Sequence, residues 1–389
     1  MLNTVLLGLV SFFSDASSEM VYPLIPLYLT AAFGATPALI GVIEGVAESL
    51  ASLLKVFSGY FTDRYHHKKL VAFAGYSTGV LYKIALIFAS SWAGILVARV
   101  IDRIGKGVRT APRDVLVSES APEKSMGKAF GVHKALDMAG SAVGILLAYL
   151  LVARADGAFE YKKLFLLSII PAALGLASLL SVKEKPQRRA EKHREEFWKN
   201  LRQIDGTLKL YLFVTFLFTL GNSSNTFLLL RAKDIGFTDT NVVLLYFVYN
   251  LTASLLSIPF GRLSDKIGRK KLLVGGYIAF AAVYIGFAFV SSGAAMVAVF
   301  VLYGCYTAMI SGAERAMIAE IAPAHLKGTM LGMQSTVTGI ALLPASIIAG
   351  FLWDTFGARA PFIFGAALSA AAAMLLTALL SNKKSGVRA

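Results

Sequence analysis

The chain has 389 residues, 56% of them hydrophobic, and a formal net charge of +15. Its repeated apolar runs approach the roughly 20 residues that a spanning helix needs, which makes it an integral membrane protein. The basic excess therefore reads as membrane topology rather than a nucleic-acid surface, and a single cysteine, Cys305, excludes an internal disulfide or a thiol metal set.

Twelve spans are predicted, at 4–32, 37–60, 69–90, 92–120, 127–152, 163–182, 209–231, 240–261, 271–291, 294–321, 329–353 and 360–381. The first has no basic n-region and no small-residue cleavage site, so it is expected to be retained. It carries Asp15 and Glu19 one helical turn apart, and the second carries Glu44 and Glu48 one turn apart, with Lys55 on nearly the same face.

The fourth span is the most informative. Arg99, Asp102, Arg103, Lys106 and Arg113 fall within roughly a third of the helix circumference, with Arg109 at the margin. An ionisable group at the bilayer centre costs roughly 2.5–3.5 kcal/mol on insertion scales, so such residues pair inside the protein or face a watery cavity. Gly105 and Gly107, at other angles, let a neighbouring helix approach closely. In the fifth span Asp137 adds another acid, and His133 lies near it without a compact ligand spacing, so no metal site is expected.

Lysine and arginine concentrate in the loops after spans two, four, six, eight and ten, whereas the turns after spans one, three and nine carry none. That bias predicts both termini on the cytoplasmic side. Residues 183–202 are strongly charged and nearly free of apolar periodicity, as a cytoplasmic linker is. Gly105-Lys106-Gly107 lacks the rest of a phosphate-binding loop, so ATP hydrolysis is not expected and the chain is not read as an enzyme.

Two loops repeat each other at a displacement of 202 residues: Gly59 to Lys69, containing Asp63 and Arg64, and Gly261 to Lys271, containing Asp265 and Arg269. A second pair, beginning at Ala121-Pro122 and Ala322-Pro323, is displaced by 201. The loop pattern G-x-x-x-D-[RK]-x-G-[RK]-[RK] is complete at Gly261 to Lys270, whereas His66 and His67 replace a glycine and a basic residue in the first copy. With these motifs the whole chain resembles a major facilitator superfamily (MFS) transporter, in a branch of bacterial and archaeal permeases of unassigned substrate. The resemblance implies an all-α membrane protein with twelve transmembrane helices in two pseudo-symmetric six-helix bundles, the MFS fold, working by alternating access. The expected division is an N-terminal bundle at 1–182, a basic cytoplasmic linker at 183–208 and a C-terminal bundle at 209–389.

The resemblance also implies a cytoplasmic gate. Its expected members are Gly59, Asp63, Arg64 and Arg113 in the first half, and Gly261, Asp265, Arg269, Glu314 and Arg315 in the second. Burial of unpaired carboxylates is prohibitive, so the acids either meet cations or carry protons. Glu19, Asp15, Glu48, Glu44, Asp102 and Asp137 are accordingly the candidates for proton coupling, with Glu19 favoured. Its second-half counterpart is Asn225, and that of Glu48 is Asn250, so carboxylates give way to amides. The substrate cavity is expected to use Arg99, Arg103, Lys106, Asn222, Asn225, Tyr246, Asn250, Tyr303 and Tyr306, with Arg231 and Tyr249 beside them.

The expected function is a proton-coupled secondary active transporter of the inner, cytoplasmic membrane that exports a small organic solute. Gly131, Gly140 and Gly144 partly resemble the glycine-rich signature of proton-driven exporters, although Ile145 stands where its proline is expected. An organic-anion carrier built on Arg99, Arg103 and Lys106 is an alternative, and a non-transporting receptor or assembly factor is one of another class. No cofactor is expected, a proton gradient being the driving force. The expected partners are a small-molecule substrate and membrane lipids, with no nucleic acid, and the chain is expected to act as a monomer.

Overall fold

The computed structural model describes residues 2–64, 68–120, 126–154, 160–184, 206–321 and 327–385. The first signature turn at His66 and His67, and nearly all of the expected linker, lie outside the described residues. Fifteen helices, and no strand, make up the described chain: α1 (Leu2–Val21), α2 (Ile25–Phe33), α3 (Pro37–Arg64), α4 (Lys68–Phe88), α5 (Trp92–Glu119), α6 (Met126–Ala153), α7 (Tyr161–Leu167), α8 (Ile169–Leu180), α9 (Gly206–Gly221), α10 (Thr226–Asp234), α11 (Asp239–Ile267), α12 (Arg269–Phe289), α13 (Gly293–Ile321), α14 (Lys327–Phe356) and α15 (Ala360–Ser385). Eleven stretches among the described residues are long and apolar enough to cross a membrane. The remaining predicted span is α5, 28 residues long but too charged to count by apolarity alone.

Three predicted spans are broken helices. A 3-10 turn at Tyr22–Leu24 joins α1 to α2, where Pro23 and Pro26 lack the backbone N–H groups that a continuous helix would use. Ser168 separates α7 from α8, and its carbonyl accepts a hydrogen bond from the Ser17 hydroxyl at 2.6 Å. Residues 222–225 separate α9 from α10. In an apolar medium such exposed backbone groups need internal partners, and Ser17 supplies one.

The chain divides into two units: Met1–Arg188 with Gly236–Phe247, and Arg189–Ile235 with Val248–Ala389. The start of α11 thus groups with the first unit. Within that unit α1 packs along α6 and α8, while α5 packs along α3 and α4. Leu7, Val10, Tyr76, Leu116, Val117 and Leu179 form an apolar core there. Gly105 abuts Thr78 and Gly75 of α4, and Gly107 abuts Leu54 of α3, so each glycine does let a helix approach. Within the second unit α12 packs on α13 and α15, and α9 on α14 and α15. Large apolar side chains such as Phe88, Leu255, Ile258, Ile278 and Phe351 point outward, as suits a surface solvated by acyl chains.

The complete signature loop turns at Gly268, whose φ of +90° is a conformation for glycine alone. Gly261 is helical, and a Cβ there would meet nothing within 4 Å. Gly268→Ala is therefore expected to cost about 1–3 kcal/mol, and Gly261→Ala to be neutral or stabilising. Thermal unfolding midpoints of the two purified variants against the parent check this contrast.

Candidate functional site

The charged stripe of α5 meets α3 rung for rung. Arg99 donates to Glu44 through Nε, at 2.9 Å to Oε1, and through Nη2, at 2.6 Å to Oε2. This fork-on-carboxylate geometry is among the strongest of charge-assisted hydrogen bonds. One turn along both helices, Arg103 Nη2 lies 2.6 Å from Glu48 Oε1, with Arg99 Nη2 at 4.0 Å from the same oxygen. Asp102 completes the group, its Oδ2 standing 3.9 Å from Arg103 Nε and 4.0 Å from Arg99 Nη1. Arg99 and Glu44 are each 1% exposed, so neither charge has water to turn to. The Tyr22 ring stands 5.4 Å from the Arg99 guanidinium, which carries this network to the break after α1.

Glu19, one turn before that break, has a different partner. The Tyr246 phenol donates to its Oε2 at 3.1 Å, and the Tyr22 and Tyr246 rings lie 5.6 Å apart. Glu19 is thus bonded by a neutral group, while Glu44 and Glu48 are bonded by arginines. Lys106 is exposed on α5, and its charge is the cation felt most strongly by both Asp15 and Glu19. Asp15 and Asp137 of α6 are electrostatic neighbours, and Lys134 Nζ lies 2.6 Å from Asp137 Oδ2.

In the second unit the expected residues form a neutral cluster. Tyr303 donates to Asn225 Oδ1 at 2.7 Å, Asn225 Nδ2 donates to the Tyr249 oxygen at 3.4 Å, and Asn222 Nδ2 donates to the Tyr306 oxygen at 3.3 Å. The Tyr249 and Tyr303 rings lie 5.1 Å apart and those of Tyr303 and Tyr306 5.3 Å apart. Asn222 and Asn225 bracket the break between α9 and α10. Interrupted helices at corresponding places in the two halves are a pointer to a binding site, and here the first break carries Glu19 and Tyr22 while the second carries the two asparagines. Asn250 is half-buried on α11 beside Tyr249.

Arg231 has a structural task instead of a cavity position. Its guanidinium donates to the carbonyls of Phe287, Ala288 and Val290 at 3.0, 3.2 and 3.4 Å and lies 2.5 Å from Asp234 Oδ2. It caps the C-terminus of α12, where carbonyls lack partners and a cation is favoured. Lys83 is the residue that the sequence reading passed over: it is 1% exposed on α4 and its charge faces Asp102. Its signal was a lone lysine in the apolar run from Val80 to Phe88.

Of the expected gate, Arg113 bonds its neighbour Asp114 through Nε and Nη2 at 2.9 and 2.8 Å. Tyr211 donates to the backbone carbonyl of Glu314 at 3.3 Å, and Arg269 opens α12 directly after Gly268. The side chains of Lys55, Asp63, Arg64, Asp265 and Arg315 lie outside the described residues, and Gly59 is a helical residue of α3. Glu44→Gln would strand Arg99 in the interior, so a loss of roughly 3–5 kcal/mol is expected. Glu48→Gln should cost less, because the Glu48 side chain is 29% exposed and water can compensate Arg103 in part. Unfolding midpoints in detergent should rank parent, Glu48→Gln and Glu44→Gln in that order.

Comparison with known proteins gives one answer along the whole chain. The family model described as Major Facilitator Superfamily matches residues 7–229 and 211–388. An uncharacterised MFS-type transporter of Methanocaldococcus jannaschii is 36% identical over 380 residues, covering 96% of this chain and 94% of its own. Quinolone resistance protein NorA of Staphylococcus aureus is 28% identical over 152 residues, covering 39% of each chain. Among solved structures, nucleoside transporter NupG matches with a TM-score of 0.78 at 13% identity, over 98% of this chain and 99% of that one, which concerns the fold alone. The chain belongs to the Major Facilitator Superfamily and is a multi-pass membrane transporter of that type.

Proposed function

We propose that this transporter is a proton-coupled exporter of a small organic solute, working as a monomer in the inner, cytoplasmic membrane with both termini on the cytoplasmic side. The observation that carries the reading is the partner of Glu19. A carboxyl group bonded by a phenol takes up and releases a proton without breaking an ion pair, whereas Glu44 and Glu48 would each strand an arginine on protonation. Glu19 also sits beside the interruption of the first span, where the chain has backbone and side-chain polarity to offer a solute. Direction and cargo class take their support from the likeness to a quinolone resistance protein. Arg99 and Arg103 are engaged by carboxylates, so the anion-carrier alternative gains no support from them. The gate assigned to Gly59, Asp63, Arg64, Arg113, Gly261, Asp265, Arg269, Glu314 and Arg315 remains part of the proposal on the strength of the repeated loops.

The test is flux in proteoliposomes loaded with a pH-sensitive dye, with a quinolone as the first solute of a panel. An imposed pH gradient is expected to drive solute movement with proton counterflow. Glu19→Gln should reduce gradient-driven movement to the level of protein-free liposomes and leave gradient-independent solute exchange in place, because an amide mimics the neutral acid but cannot titrate. Full gradient-driven transport by this variant would defeat the reading. For topology, single cysteines replacing Lys69, Lys192 and Lys271 should react only with reagent admitted to the cytoplasm, and cysteines at Gly34 and Ser292 with external reagent.

A further inference from the structure

Helices α1 and α6 run side by side in parallel register. Added Cβ atoms at Gly8, Gly140 and Gly144 would collide with Leu136 Cδ1, the Phe12 carbonyl oxygen and the Ala16 carbonyl oxygen respectively, so the two helices touch at successive turns. In the same seam, Ser11 Oγ lies 2.8 Å from His133 Nε2. One turn onward on each helix, and so facing each other across the same seam, come Asp15 and Asp137, each within electrostatic reach of the other. One turn beyond Asp15 is Glu19. Two facing carboxyl groups hydrogen-bond only when one of them carries a proton to donate, and two neighbouring carboxylates do not both ionise readily.

We propose that Asp15 and Asp137 share one proton and form a second station of the proton path, exchanging that proton with Glu19 along α1. The proposal rests on the proton-coupled reading and extends it to a specific pair. Lys134 holds Asp137, so the charge of the pair rests there and the proton on Asp15. Lys106 and Arg109 of α5 face Asp15, Arg113 of α5 faces Asp137, and Lys83 of α4 feels Asp15 from the side. His133, on the same face of α6 as Asp137, is bonded to Ser11. Helix α8, also packed along α1, has no ionisable side chain. Transfer of the proton from Asp15 to the Glu19 carboxylate spans one turn, about 6 Å of helix rise, which one water bridges. Both members of the pair are then ionised among these cations, and a proton from bulk water restores the shared state.

The experiment is infrared difference spectroscopy of the full chain in lipid nanodiscs during a pH titration, in a Glu19→Gln background so that Glu19 contributes no carboxyl band. One protonated carboxylic C=O band that shifts in heavy water is expected. Asp15→Asn and Asp137→Asn should each abolish it, since the amide donates in place of the acid and leaves the other member ionised. A monodisperse gel-filtration profile certifies each variant, and Asp15→Asn decides alone where Asp137→Asn does not fold. Persistence of the band in Asp15→Asn overturns the shared proton, and so does a band that answers to sodium and not to pH. Either result leaves the flux of the Glu19→Gln variant to judge coupling separately, just as retained flux in that variant would leave this band to be read on its own.

Discussion

The Arg99–Glu44 pair is the interaction on which the interior of the first unit depends. A bilayer offers a guanidinium no solvation, so α5 crosses the apolar layer only because α3 presents a carboxylate that takes two of its N–H groups at once. From that contact follow the azimuth of α5, the fit of Arg103 on Glu48 one turn on, and the position of Asp102 between two cations. Tyr22 stacks over the same guanidinium, so the geometry of the first helix break is referred to the same pair. Replacement of one partner costs more than replacement of both, because the penalty lies in the charge left behind.

A division of labour among the acids comes with this arrangement. Glu44 and Glu48 are tied to cations on the neighbouring helix. Glu19 meets a phenol in place of a cation, and Asp15 has another acid, Asp137, as its neighbour. The second unit has amides at the positions corresponding to Glu19 and Glu48, and Asn225 is satisfied by two tyrosines without any charge. Charge handling and neutral hydrogen bonding are thus concentrated in different units of a chain whose two halves still share a loop signature.

Much of this was legible in the residues. Run lengths and the repeat at 202 residues carry the helix count and the family, because a membrane fixes how long an apolar helix must be. The stripe on α5 was legible because charges at helical spacing have no cheap explanation in lipid. Pair identities were not, since Glu44 and Glu48 choose Arg99 and Arg103 through helix rotation and neighbour order, which no single segment encodes. The breaks at Ser168 and at residues 222–225 escaped because hydropathy runs through them, whereas Pro23 and Pro26 do mark the first. Lys83 escaped because a single lysine lacks the periodicity that exposed the stripe, and Arg231 misled because a polar group near a helix break resembles a ligand site until the carbonyls of α12 are seen to occupy it.

Arg231 has a mechanical consequence. It fastens the short helix α10 to the end of α12, while α9, on the other side of residues 222–225, is packed on α14 and α15. The two pieces of one span also share neighbours: the ring of Phe218 in α9 stacks on Tyr277 of α12 with centroids 4.1 Å apart, and Phe227 of α10 lies 6.1 Å from Trp353 of α14. The unwound residues are thus clamped from both sides, so Asn222 and Asn225 turn their amides toward the tyrosines from an interruption that is itself braced.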